Sequence, residues 1–520
     1  MQIEFIERFD LTSPTDLLLL PVLQGKVLDD PLVSGLNLAL DGALEKLAGQ
    51  EKFKAKDSQS LNFNTLGRIG PQRVTLLGLG PVEKLSPETF RRAGGRAAES
   101  LQKYRVSGLT AACQLPEGAD FTLDQAVGGF LEGLELGLYR FEKYKSKEDE
   151  EPSYSGPEMA GLFACDASGR PQGKKKKLQA QARHAALVTQ GVLTARDMIN
   201  EIPEVMTPEN LAKRAGELAA EVEGIKVRVL DEKAMAGEKM AAALAVARGS
   251  ENSPRFIELV YDPPGVPGKE DLLVMVGKGV TFDSGGLNIK PGEHMATMKM
   301  DMSGAAAVIS AITVIARLKL PLRVAAVVAA VENMPSGRAY RPDDVVRAMN
   351  GTTIEVGSTD AEGRLTLADA LSWAITRLGA GRIVDLATLT GSCVVGLGPY
   401  TAGAMGNDKD WLSFVLDSAR EAGEKCSELP LDQDLADDIK SEIADVKNIG
   451  ATRFGGAIAG ALFLEKFVRK TPWVHLDIAG PAWAEKKRHY QPAGGTGFGV
   501  RLLVRLAERL AARGKQDSML

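Results

Sequence analysis

Apolar residues in the second half of the chain come in short, nearly unbroken runs. They include "LLVMVG" from Leu272, "VAAVVAAV" from Val324, "RIVDLA" from Arg382 and "WVHLDIA" from Trp473. Runs of this length that do not alternate with polar residues predict strands buried on both faces, the habit of parallel sheets. Helical stretches separate them. "SGAAAVISAITVIARLK" is apolar nearly all round, as a buried helix is. "LTLADALSWAITRLG" reads as a helix closed by Gly379. Buried strands alternating with helices predict a mostly parallel sheet covered on both faces, with functional groups at the carboxyl ends of its strands.

The first third follows the same rhythm more weakly. "RVTLLGLG" (Arg73 to Gly80) predicts a buried strand ending in a glycine turn. "SPETFRRAGGRAAESLQKY" then predicts a helix with Ser86 as N-cap and Pro87 at its first position. The "GLG" lacks the third glycine of a dinucleotide fingerprint. Around "YKSKEDEEPSYSGPEM" the pattern gives way to charge, Pro, Ser and Gly, an exposed loop. Four lysines in "GKKKK" then lead into a long helical pattern and read as a solvated helix entrance. These features divide the chain into an N-terminal α/β domain, residues 1–177, and a second domain, 178–520, that starts with a connector helix. Further on, Thr207 and Pro208 open another helix. No internal repeat is evident.

Composition narrows the function classes. The 520 residues are 44% hydrophobic, enough for large cores and more than one domain. A net charge of −5 argues against a nucleic-acid coat or a polybasic membrane binder. Glu4 and Glu7 stand where a signal peptide carries positive charge. "DLLLLPVL" and "VAAVVAAV" are too short to span a bilayer. A soluble, cytoplasmic protein without membrane or nucleic-acid partners is therefore expected. Cys113, Cys165, Cys393 and Cys426 are scattered and form no CxxC pair. Four dispersed histidines form no HExxH site, so any metal must be held mostly by carboxylates.

Those carboxylates fall at the predicted strand ends. Asp283 follows the strand ending "VGKG". Asp301 lies in "MKMDMSGAA" at the entrance of the buried helix. Asp360 and Glu362 stand in "STDAEGRL" before the next helix. Two residues apart in an extended segment, Asp360 and Glu362 would face the same way. Asp301 and Asp360 have a plainer reading as helix caps. Four buried acids repel one another, and cations relieve that repulsion. Two lysines join the set: Lys278, directly after an apolar run, and Lys290, in "SGGLNIKP". A neighbouring cation depresses a lysine pKa, so Lys278 could serve as an amine ligand. Lys290 could stay charged and polarise a carbonyl. "VGKGVT" is not a phosphate loop, because Leu272 and Gly279 stand where the Walker pattern needs Gly and Ser/Thr.

Taken together, these residues closely resemble the leucine aminopeptidase family (cytosol aminopeptidases), dinuclear metallo-exopeptidases. "STDAEGRL" is similar to the family signature NTDAEGRL with one change. "VGKGVTFDSGGLNIKP", "MKMDMSGAAAV", "ENMPSGRAYRP", "DLATLTGSCVVGLG", "VKNIGATRFGGAIAGALFLEKFV" and "WVHLDIAGPAW" resemble family blocks in family order. "LLGLG" and "EGLELGLYRFEKYK" extend the likeness to the first domain.

The resemblance implies a macrodomain-like N-terminal domain and a larger α/β catalytic domain. It implies one metal held by Lys278, Asp283, Asp301 and Glu362, and a second held by Asp283, Asp360 and Glu362. The metals would be zinc or manganese, with magnesium or cobalt possible at the looser site. Lys290 and Arg364 would be the catalytic pair, and Arg364 would hold a bicarbonate ion. The implied activity is release of N-terminal amino acids, leucine and other apolar residues preferred, from short peptides by a metal-activated water. The implied assembly is a homohexamer.

For the side-chain pocket the resemblance points to Met298, Thr388, Gly391, Ala479 and the region of Ala482. Met298 and Ala479 also read as core filling. Two departures stand out: Ser358 replaces the signature Asn, and small Ala482 weakens an expectation of strict leucine preference. The alternatives are another two-metal hydrolase, such as a phosphoesterase, or an aminopeptidase with an added nucleic-acid-binding role.

Overall fold

The computed structural model describes residues 1–25, 27–146, 154–266 and 272–517, with side chains to 514. Residues 147–153 of the expected charged loop lie outside the described residues. The chain forms two compact units. One comprises Met1–Gln190 with Lys486–Pro492, and the other Gly191–Glu485 with Ala493–Leu520. The long helix Lys175–Asn200 passes from the first unit into the second, and the division falls inside it rather than at its head.

In the first unit six strands pair in the order Gln2–Phe5, Met159–Cys165, Gly108–Gln114, Thr15–Val22, Pro71–Gly78, Ser60–Asn64. Every pairing is parallel except the last. Alternate residues of Thr15–Val22 feed opposite faces. Leu17 and Leu19 pack under the helices Pro87–Tyr104 and Leu123–Leu138. Leu18 and Leu20 pack with Leu32, Val33 and Leu44 from the short helices on the other face. That two-faced burial explains why "DLLLLPV" reads as an unbroken apolar run. Ser86 and Thr89 form the capping box that opens Pro87–Tyr104, as the S-P-E-T sequence suggests.

The second unit holds eight strands in the order Cys426–Glu428, Ala402–Gly406, Trp473–Asp477, Arg382–Ala387, Leu273–Asp283, Val324–Asn333, Arg255–Tyr261, Ile225–Leu230. The four central strands are parallel, and antiparallel pairings flank them. Every residue of Val324–Asn333 is buried. The helical stretch Gly292–Arg317 is long and apolar enough to cross a membrane, but 89% of its most apolar window is buried within the protein. Its hydrophobicity therefore reflects a core position. Ser303–Arg317 packs against the strands Leu273–Asp283 and Val324–Asn333. The parallel centre brings the carboxyl ends of four strands to one edge, where Asp477, Thr388, Asp283 and Asn333 follow each other across the sheet.

Candidate metal centre and substrate cavity

Asp283 is the last residue of its strand. Gly285 and Gly286 then take positive φ values of 88° and 64°, which turn the chain sharply. The Lys290 N–H donates to the Ser284 carbonyl at 2.9 Å, so the loop folds back and returns Lys290 to the strand end. Lys290 Nζ lies 2.9 Å from Asp283 Oδ2 and 2.6 Å from Asp360 Oδ1. Lys278 lies inside the strand, not after it, and is 3% exposed. Its Nζ sits 2.8 Å from Asp301 Oδ1 and 2.7 Å from Glu362 Oε1, and donates to the Thr388 carbonyl at 3.1 Å. Gly363 makes room for it: a Cβ there would stand 2.5 Å from Lys278 Cε.

Asp301 is no helix cap. It belongs to a 3-10 turn, Met298–Met302, ahead of the helix Ser303–Arg317, whose start has no side-chain cap. Asp360 and Glu362 do not converge through an extended segment. Asp360 sits in a turn, and Glu362 is the first residue of the helix Glu362–Thr376, three residues ahead of the apolar run that begins at Leu365. A turn running into a helix projects both acids to the strand ends, and the helix N-terminus favours the Glu362 charge.

One oxygen each from Asp283, Asp301 and Glu362 comes within 4.8 Å of the others. Burial pushes the carboxyl pKa values of Asp283, Asp301 and Asp360 above the usual range. Burial alone would lower the Lys278 pKa, but the carboxylates of Asp301, Glu362 and Asp283 outweigh it and raise it. Lys290 behaves likewise, with Asp283 the main carboxylate. Asp301 Oδ2 lies 2.7 Å from Lys278 Nζ yet accepts no hydrogen bond. A buried acid with an unbonded oxygen, two further acids within reach and a nearby amine make a donor set that fits hard or borderline divalent cations.

A cavity of about 470 Å³ opens on this cluster. Lys278, Lys290, Arg364 and all four acids line it, as do Met298, Thr388, Gly391 and Ala479. Ala482 does not. It is buried, and its carbonyl accepts from the Thr496 N–H at 3.0 Å. Arg364 is buried, and burial pushes its pKa down to about 10, against the charges of Glu362 and Asp477. Its guanidinium donates to the Asn448 carbonyl.

Sequence reasoning missed several residues that hold the cluster in place. Asn448 is fully buried and clamps the loop before Glu362. Its Oδ1 accepts from Gly357 N–H at 2.7 Å, and its Nδ2 donates to the Ser358 carbonyl at 2.8 Å. Asn333 donates to Asp283 Oδ1 at 2.8 Å and to the Thr359 carbonyl at 3.0 Å. The Thr388 hydroxyl donates to Asp301 Oδ1 at 2.7 Å. Ser358, the one departure from the signature, accepts the Asp360 N–H on its own hydroxyl at 3.1 Å and so fixes the turn locally. The sequence signal for Asn448 and Asn333 was only their place in the "VKNIG" and "VEN" blocks.

The parallel α/β sheet, with a lysine–carboxylate cluster at its strand ends, defines a metal-dependent hydrolase. Residues 193–504 match the cytosol aminopeptidase family, catalytic domain, and residues 19–148 match that family's N-terminal domain. A probable cytosol aminopeptidase of Persephonella marina is 44% identical over 91% of this chain and 93% of its own length. That of Syntrophotalea carbinolica is 44% identical over 96% and 98%. Among solved structures, a tomato leucine aminopeptidase mutant superposes with a TM-score of 0.86 at 34% identity, covering 98% of this chain and 96% of that one. The bottromycin maturation enzyme BotP in complex with Mn gives 0.82 at 33% identity, covering 96% of this chain and all of that one. The chain belongs to the cytosol aminopeptidase family and is a metal-dependent aminopeptidase, a hydrolase.

Proposed function

We propose that Asp283, Asp301, Asp360 and Glu362, with the Lys278 amine, hold two divalent cations, and that the enzyme releases apolar N-terminal residues from short peptides. The convergence of three acids within 4.8 Å of one another, beside two lysines and on one cavity, carries this reading. Bound there, the cations would supply Lewis acidity and lower the pKa of water near neutral pH. Lys278 must lose its proton to act as a ligand, and a cation in place of that proton reverses the carboxylate bias that now holds it charged. The oxygen-rich set favours manganese or magnesium, and the amine tilts one site toward zinc or cobalt.

Lys290 is paired with Asp283 and Asp360 in the metal-free site, and unlike Lys278 it is not needed as a ligand, so it can stay charged. Its ammonium lines the cavity and is placed to donate to a peptide carbonyl as negative charge grows on the oxygen. Arg364 presents a planar cationic fork suited to bicarbonate. Bound there, bicarbonate would supply proton-transfer chemistry beside the acids, with Arg364 as the residue that would hold it. The apolar parts of Met298, Met300, Val394 and Ala479 give the cavity room for the first side chain. The free α-amine would be read by the acidic cluster, which accounts for exopeptidase action. The names of the relatives support a cytoplasmic location, and the resemblance supports a homohexamer.

The test is to strip metal with a chelator, assay leucyl-p-nitroanilide, and restore Zn²⁺ or Mn²⁺. Activity should vanish and return. Undiminished turnover in the stripped enzyme would refute the metal assignment. N-acetylation of the substrate should abolish cleavage, and continued cleavage would favour a different two-metal hydrolase.

A further inference from the structure

Two segments lining the cavity leave adjacent parallel strands. Thr388–Gly391 follows Arg382–Ala387, and Ala479 follows Trp473–Asp477. One side chain ties them together from within the protein. Asp477 is fully buried and does not line the cavity. Its Oδ1 accepts the N–H groups of Leu389 at 3.2 Å, Thr390 at 3.5 Å and Ala479 at 3.2 Å. Its Oδ2 accepts the Thr390 hydroxyl at 2.6 Å. That hydroxyl in turn accepts the Cys393 N–H at 3.1 Å and caps the helix Gly391–Leu397. All of these donors therefore belong to the two cavity segments or to the helix that continues one of them.

A carboxylate fits this position better than an amide. Both oxygens only accept, and every group that faces them is a donor. An asparagine would keep one acceptor for the N–H groups but turn its NH₂ toward the Thr390 hydroxyl. That hydroxyl would then have to accept from the amide while also capping Cys393. The negative charge has company too: Arg364 and His475 both interact electrostatically with Asp477.

We propose that Asp477 is a positioning residue for side-chain selection: it sets the spacing between the Thr388–Gly391 and Ala479 walls and so decides which first residues the cavity accepts. The inference rests on the peptidase reading of this cavity and goes beyond it, since Asp477 touches neither the acids nor the lysines through any hydrogen bond described. Walls displaced by a fraction of an ångström act on substrate fit, where a single methylene is worth about tenfold or more in discrimination.

The experiment measures kcat and KM for leucyl- and alanyl-p-nitroanilide at saturating Mn²⁺, with Mn²⁺ affinity by calorimetry, in four proteins: wild type, Asp477→Asn, Thr390→Val and Thr390→Ser. Asp477→Asn and Thr390→Val should each lower the leucyl-over-alanyl preference about tenfold, through KM, with kcat within about threefold and Mn²⁺ affinity unchanged. Thr390→Ser keeps the hydroxyl bond but trims a methyl from a residue that lines the cavity, so it should keep more of the wild-type preference than Thr390→Val. If Asp477→Asn does not fold, Thr390→Val, which removes this bond together with the Cys393 cap, is judged against Thr390→Ser, which keeps both. An unchanged preference overturns the inference, as does a loss of Mn²⁺ affinity that tracks the loss of activity. The metal reading fails separately, if Asp283→Asn binds Mn²⁺ as tightly as wild type.

Discussion

The two units build nearly the same scaffold and end their strands in different chemistry. Both have a parallel core with helices on its faces and strands buried on both sides. In the first unit the parallel strands end at Phe5, Val22, Gly78, Gln114 and Cys165, and none of these is an acid or a base. In the second the central strands end at Asp283, Asn333, Ala387 and Asp477, with Thr388 next in line. The scaffold supplies an edge where loops gather. In the second unit the acids at and beside the strand ends converge in one buried cluster, with charge and hydrogen-bonding capacity that bulk packing does not require. Fold alone thus says little about function, and the strand ends say most of it.

Substitutions at strand ends of the two units should have very different effects. Lys290→Ala should lower kcat for a leucyl anilide by about 10²–10³-fold, as expected when a donor to the developing oxyanion is lost. Gln114→Ala, at a strand end of the first unit, should change kcat by less than about twofold, because Gln114 does not line the cavity and its side chain bonds to the Ala167 carbonyl, which does not line it either. Equal losses in steady-state assays would dissolve the contrast.

Stability should follow the same division. Lys278→Met removes the buried cation that neutralises Asp301 and Glu362. The uncompensated acids should destabilise the metal-free protein by about 3–5 kcal/mol, seen as a lower denaturation midpoint. Added Mn²⁺ should narrow the gap. A variant as stable as wild type would mean the acids do not need the lysine.

A third measurement separates the acidic edge from the core behind it. Asp369 is fully buried, and burial raises its pKa to about 7, against the N–H groups of Ala243 and Met349 that it accepts. An acid whose folded pKa lies above its ordinary value binds more protons folded than unfolded. Its contribution is therefore intact at low pH and is lost as pH rises from near 4 toward 7. Asp369→Asn does not titrate, so its stability relative to wild type should climb across that window, by an amount on the order of a few kcal/mol at the top. A flat difference in melts from pH 4.5 to 7.5 would contradict the assignment.

The smallest effect is expected at the signature itself. Ser358→Asn restores the family residue, and its amide oxygen can accept the same Asp360 N–H that the serine hydroxyl now accepts. The kcat/KM should move by less than about threefold. A tenfold change would show that position 358 does more than shape the turn.

Local pattern carried much of this protein. Unbroken apolar runs marked the strands because both faces of each sheet are covered. Ser86–Pro87 and Thr207–Pro208 marked helix starts because capping is satisfied within three or four residues. The chemistry was legible wherever charge interrupted apolar sequence: Lys278 and Asp283 within or at the end of a buried strand, and Asp301 before a buried helix. The mutual arrangement was not legible. The expected extended path from Asp360 to Glu362 proved to be a turn entering a helix, because tertiary contacts from Asn448, some 90 positions later, hold that loop. Asp477 and Asn333 looked like ordinary strand residues, but Asp477 accepts from Thr390, 87 positions away, and Asn333 donates to Asp283, 50 positions away. Burial and periodicity are local properties of the chain, so the buried segments and the residues that bring charge to their ends could be read from residue order. Which charges meet, on which cavity and held by what, emerges from the folded sheet, because those contacts join strands whose neighbours in the sheet are not their neighbours in the chain.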